Sequence, residues 1–185
     1  MKKRVLTIID GSNLYYKLKD LKIKKLVEYD YAGLVNSLLD KNTNLKIKYY
    51  IGAIRTDGSK KSLKMFRKQR KLLANLKKQK IEYFLGYLLK SGGKYHEKGV
   101  DVQMVVDMLK GAYKDEYDKF ILVSSDSDLV PAIEAVQNED KEVVYVGFKH
   151  KPSYALLKSC RRSIILEKKD VEGFINVWLY FLQNC

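Results

Sequence analysis

The chain has 185 residues, 46% of them apolar, and 36 Lys and Arg against 22 Asp and Glu give a formal charge of +14. That is enough apolar surface for one compact core and too little chain for a second, and the charge favours a polyanionic partner, nucleic acid first. Two cysteines, Cys160 and Cys185, are too few for a disulfide scaffold and read as free thiols of a reducing compartment.

The elements alternate between short β-branched or aromatic runs and longer segments with helical spacing. A strand is predicted over Arg4 to Ile9. Its apolar stretch, Val5 to Ile9, is too short for a signal peptide or a membrane span, so a cytoplasmic address and no membrane are expected. Helices follow over Ser12 to Leu18 and Tyr31 to Leu39, then a strand over Lys46 to Ile54, a helix over Ser59 to Lys78 and a strand over Ile81 to Leu88. Next come a helix over Gly99 to Ala112, a strand over Lys119 to Ser124, a helix over Asp128 to Gln137 and a strand over Glu142 to Gly147. Ser153 to Ser159 reads as a helix, Ser163 to Leu166 as a strand, and Val171 to Phe181 as a last helix packed on the domain within residues 170–185. Ser12, Asp30, Ser59, Ser127 and Asp170 are N-cap candidates, and Pro152 precedes or opens its helix. Strands apolar on both faces suit a sheet covered on each side. The chain is therefore expected to be a single α/β domain over 1–185, a three-layer α/β/α sandwich with a central, mainly parallel sheet. Lys90 to Gly99, rich in Gly and Ser, reads as a mobile loop beside a charged motif.

Three motifs carry chemistry. Asp10 closes the first strand in Ile9-Asp10-Gly11-Ser12-Asn13, and Asp126 and Asp128 follow another strand in Ser124-Ser125-Asp126-Ser127-Asp128. Between them, Glu97-Lys98-Gly99-Val100-Asp101 opens a helix continuing through Val102, Val105, Val106 and Leu109. In open parallel sheets ligands bind at the carboxyl ends of the strands. If the first and fourth strands are neighbours, acids 91 and 25 positions apart meet there. Converging carboxylates repel and raise one another's pKa unless a cation lies among them. Oxygen ligands select a hard ion, Mg²⁺ or Mn²⁺, whereas His96 and His150 have no zinc-ligand spacing with a cysteine. Such an ion suits phosphodiester hydrolysis. An aspartate after a strand equally serves as a helix cap, and Asp101 equally favours its own helix dipole. Asp107 lies mid-helix and is assigned to solvent or a salt bridge.

Ser59 to Lys80 holds ten Lys or Arg and no acid, with Leu63, Phe66, Leu73 and Leu76 as its buried stripe. Its basic face, with Lys64, Arg67, Lys68 and Lys71, would hold a phosphate backbone, although a solvated helix has the same composition. Tyr49, Tyr50, Tyr83 and Tyr87 are candidates for base stacking or for packing.

Together, Ile9-Asp10-Gly11-Ser12-Asn13-Leu14, Glu97-Lys98-Gly99-Val100-Asp101-Val102 and Leu122-Val123-Ser124-Ser125-Asp126-Ser127-Asp128-Leu129 with Pro131 resemble the NYN family, also called LabA-like or DUF88, of the PIN-like nuclease superfamily. The likeness covers about residues 3 to 168. It implies a parallel sheet of strand order 3-2-1-4-5 with room for an edge strand, and Mg²⁺- or Mn²⁺-dependent ribonuclease chemistry. It also implies that Asp10, Asp101, Asp126 and Asp128 are the catalytic and metal-holding acids. Asn13, Ser12, Ser125 and Lys98 would contact single-stranded or structured RNA. Ser125 stands where many relatives have Gly, and Arg161-Arg162 precede the last strand where relatives often show Asp. Small nucleases of this superfamily commonly dimerise, which leaves a homodimer open. The competing function is an RNA-binding or regulatory module with an acidic pocket and little turnover. Phosphatase chemistry of the HAD type expects a second Asp where Ser12 stands.

Overall fold

A computed structural model of the chain describes residues 2–40, 43–91 and 94–174. Strand β1, Lys3–Asp10, is buried from Val5 to Asp10, as the apolar run requires, and is followed by helix α1, Gly11–Asp20. A 3-10 turn at Leu26–Glu28 leads to α2, Tyr31–Ser37. Then come β2, Thr43–Gly52, α3, Lys60–Lys78, and a hairpin of β3, Glu82–Ser91, and β4, Lys94–Lys98. The second half holds α4, Val100–Tyr113, β5, Lys119–Val123, α5, Val130–Asn138, β6, Glu142–Phe148, α6, Tyr154–Ser159, and β7, Arg162–Leu166.

The described strands form one sheet in the order β4-β3-β2-β1-β5-β6-β7. All pairs are parallel except β3 with β4. Counted without β4, the parallel strands lie in the order 3-2-1-4-5-6, the expected arrangement with β7 as the edge strand. Alternation along β1 and β2 divides the core in two. Val5, Ile9 and Tyr49 pack with Leu14, Leu18, Tyr31, Leu73 and Leu76 on one face. Leu6, Ile8 and Tyr50 pack with Met104, Met108, Ile133 and Leu156 on the other. The result is a three-layer sandwich. Among the described residues no helix is long and apolar enough to cross a membrane.

Several expectations change. Most of Lys90 to Gly99 is not a loop: residues 94–98 form β4, paired antiparallel from Tyr87↔Lys98 to Ser91↔Lys94. The run Lys-Tyr-His-Glu-Lys offers no apolar alternation, so it becomes a strand only because β3 presents an open edge to it. The cap of α1 is Asp10, not Ser12, since its carboxylate accepts the Asn13 amide. The 3-10 turn Ser127–Leu129 is likewise capped by Asp126 rather than Ser127. Asp170 closes a capping box opened by Glu167 around the 3-10 turn Lys168–Asp170. Asp30 and Ser59 cap α2 and α3 as expected.

The buried stripe of α3 is Gln69, Leu72, Leu73 and Leu76, with Phe66 exposed. Helix α3 has 19 residues, whereas β2 and β3 pair over only five positions, so its first turns have little sheet to cover. On α4 the core takes Val100, Met104, Met108 and Ala112, while Val102 and Val106 face solvent. Of the predicted final helix, Glu172–Phe174 is a 3-10 turn with Phe174 against Tyr29. Its remainder lies outside the described residues, as does Cys185; Cys160 is a buried free thiol.

Candidate active site at the carboxyl edge of the sheet

Three chain segments reach the carboxyl edge of the central strands. Strand β1 ends at Asp10 and β5 at Val123, and their register pairs Ile9 with Val123, so the next residues on each, Asp10 and Ser124, stand side by side. The third segment arrives through the hairpin. Strand β4 returns to Lys98 opposite Tyr87, one residue beyond the Gly52↔Gly86 pair, and α4 starts there. Gly99 makes this reversal at φ +86°, where a side chain would be strained and would stand 2.9 Å from the Tyr87 ring.

A hydrogen-bond chain ties two of the acids together. Asp10, 8% exposed, accepts the Asn13 amide at 2.9 Å through one oxygen and the Ser124 hydroxyl at 3.0 Å through the other. The Ser124 oxygen in turn accepts the Asp126 amide at 3.1 Å, and the Asp126 carboxylate accepts the Asp128 amide at 3.0 Å. The cap reading and the site reading of these aspartates are therefore not exclusive: each acid is held in place by the amide it caps.

Asp101 stands in the first turn of α4. One cleft is lined by Asp10, Ser12, Asn13, Tyr16, Val100, Asp101 and Asp126. Burial raises the Asp10 pKa, hydrogen bonds from Asn13 and Ser124 oppose that rise, and the charges of Asp101 and Asp126 add to it. Asp101 is raised by burial and then by Asp126 and Asp128. Acids from three loops thus feel one another across the cleft.

The other residues singled out from the sequence lie outside its lining. Asp128 is exposed and outside the lining, yet near enough to Asp101 to act on its pKa. Ser125 and Lys98 are also outside the lining, with Lys98 exposed two residues before Val100. Lys64, Arg67, Lys68 and Lys71 share one face of α3, where with Lys60 and Leu63 they border a shallow depression. Since β2 runs into α3 from the carboxyl edge, the amino-terminal turns of α3 begin at that same edge. Asp107 sits lower, bound by Lys48 at 2.9 Å and the Tyr50 hydroxyl at 2.6 Å, in the salt bridge expected for it. Tyr49 and Tyr50 are core residues, whereas Tyr83 and Tyr87 are exposed.

Two features were missed in the sequence. The Ser124 hydroxyl bridges two acids, which only strand register reveals. Tyr16 lines the cleft, and its spacing of four from Ser12 was the signal that placed it above the first turn of α1.

The donor set is all oxygen, which fits a hard cation. Among the described residues, no three Asp, Glu, His or Cys side chains converge closely enough to ligate one ion directly. One or two carboxylates with the remaining positions filled by water is the habit of Mg²⁺. His150 is not among the lining residues of the cleft and stands 3.9 Å from Asp20.

A structure of a protein of unknown function from Vibrio parahaemolyticus superimposes with a TM-score of 0.69 at 22% identity, covering 92% of this chain and 96% of that one. This likeness establishes the shared fold. A PLP-bound C-S lyase from Staphylococcus hominis reaches a TM-score of only 0.24 at 15% identity, covering 76% of this chain and 36% of the enzyme, and carries no argument. No curated protein matches the chain in sequence. The NYN domain matches residues 4–167, from the first strand through the last and across every loop that carries a cleft aspartate. With the parallel order around β1 and β5 and this match over nearly its whole length, the chain belongs to the NYN family, a nuclease-type PIN-like domain.

Proposed function

We propose that this NYN domain is a ribonuclease that hydrolyses RNA phosphodiester bonds with Mg²⁺ or Mn²⁺, which Asp10, Asp101, Asp126 and Asp128 would hold between them, one or two directly and the others through the ion's waters. The observation that carries the reading is that acids from three separate loops line one cleft at the carboxyl edge. Burial is the larger cause of the raised Asp10 and Asp101, and mutual repulsion adds to it; a cation relieves the repulsive part. A bound ion of this kind neutralises charge on the phosphate and lowers the pKa of a water.

The chain's own residues supply the rest. Asp101, exposed in the first turn of α4, receives the proton of the attacking water at its carboxylate. Ser12 and Asn13 stand in the first turn of α1, where a helix N-terminus attracts phosphate oxygens. Ser125 and Lys98 flank the cleft, and Lys64, Arg67, Lys68 and Lys71 hold the RNA backbone. The buried free thiol of Cys160 accords with a cytoplasmic setting.

The test is incubation of labelled single-stranded and hairpin RNA with the protein in Mg²⁺, Mn²⁺ or chelator, beside Asp126→Asn. Cleavage is expected only with metal and only with Asp126 present. Products that form equally in chelator and with the variant would refute the mechanism. The loose convergence of the acids favours one second reading, a domain that binds RNA without turning it over. RNA that is bound but remains intact in every metal would establish that reading instead.

A further inference from the structure

Tyr16 stands out among the residues of the cleft. Helix α1 buries Gly11, Leu14 and Leu18, and Tyr16 lies on the side turned away from that stripe, 62% exposed. Its ring packs perpendicular to Tyr15, with centroids 5.4 Å apart and planes at 81°. Its hydroxyl has no hydrogen-bond partner among the described residues. The core therefore does not require it. A single exposed aromatic is ordinary on a protein surface, but this one forms part of the cleft wall with Asp10, Asn13 and Asp126, and it is the one aromatic among the lining residues described.

Helical geometry explains the placement. Side chains on a helix lean toward its amino terminus and cover the turn before their own Cα. Tyr16 follows Ser12 by four residues, so its ring leans back along the first turn toward the aspartates, from a start about 6 Å further down the axis. A phosphate drawn to a cation held by Asp10 and Asp101 would put an adjoining base within the territory of this ring. Tyr15 braces one side of it and limits its rotamers.

Resting on the ribonuclease reading, we propose that Tyr16 is the stacking platform for the base of the nucleotide beside the scissile phosphate. Stacking on an aromatic face tolerates every base but needs the base free of its own helix. The substrate class is thereby narrowed to RNA that is unpaired at the cleavage point. Tyr16 confers a preference for single strand over duplex rather than for one sequence.

The test is fluorescence anisotropy in chelator, with a labelled single-stranded RNA decamer and a set of decamers that each carry one abasic position. Tyr16→Ala is expected to weaken binding on the order of tenfold, with Tyr16→Phe and Tyr16→Trp close to the wild type and thermal unfolding unchanged. One abasic position should weaken the wild type by a similar factor and cost Tyr16→Ala nothing further. A Tyr16→Ala protein that binds like the wild type, or abasic losses that add to the substitution at every position, would overturn the assignment. A wild type that binds the decamer yet never cleaves it with Mg²⁺ or Mn²⁺ would refute the nuclease reading alone and leave the stacking result standing. A wild type that binds the decamer neither in chelator nor in Ca²⁺ would overturn both.

Discussion

Replacing Ser124 with Ala removes one hydroxyl and breaks two links. Asp10 loses a hydrogen bond of 3.0 Å to a buried carboxylate oxygen, and the Asp126 amide loses its acceptor at 3.1 Å. A hydrogen bond to a charged group contributes about 1.5–3 kcal/mol, so a net cost of about 2 kcal/mol is expected. For a chain of this length that lowers the midpoint by about 4–8 °C. The cost should depend on pH, and its sign follows from Asp10. The folded Asp10 pKa is raised, so the folded chain holds this proton more tightly than the unfolded chain does. Stability is therefore lost as pH rises from the unfolded value through the folded one. Ser124 lowers the folded value and so limits that loss. Ser124→Ala is consequently most harmful near about pH 7 and less so toward about pH 4, where the neutral acid persists in both proteins. Thermal unfolding in chelator at the two pH values, repeated in an Asp10→Asn background, measures the coupling. An equal drop at both pH values and in both backgrounds would show that Ser124 stabilises the fold without acting on the Asp10 charge.

Gly11→Ala should cost about 3 kcal/mol by overpacking, because its Cβ would stand 2.1 Å from a Tyr49 ring carbon and 2.8 Å from the Tyr50 carbonyl oxygen; a melting temperature matching the wild type would show that Tyr49 yields freely. Replacing Lys64, Arg67, Lys68 and Lys71 together with Gln should make the slope of log affinity against log salt for single-stranded RNA shallower by about 3 if all four meet phosphates. An unchanged slope would remove α3 from the interface.

The central strands were legible because β1, β5 and β6 are apolar on both faces, a pattern that parallel sheets demand. Strand β4 was not: its residues alternate no apolar groups, and its conformation is dictated by the open edge of β3, to which it pairs. The same distinction separates the helices. Helical periodicity located α3 and α4 and found Leu73 and Leu76 in the buried stripe of α3, yet it also placed Phe66 there, in turns that extend past the sheet. At the site, a strand ending in an acid was readable for Asp10 and Asp126. The Ser124 link between them was not, because it depends on the Ile9↔Val123 register across residues far apart in the chain.

The hairpin of β3 and β4 departs from the carboxyl edge and comes back to it, with Tyr87 opposite Lys98 at its base. Arms that grow or shrink by matched residues leave that base where it is. The distal end is thus insulated from the placement of Asp101, and evolution or an engineer can graft a longer ribbon there, carrying its own recognition elements, without displacing the acid that opens α4.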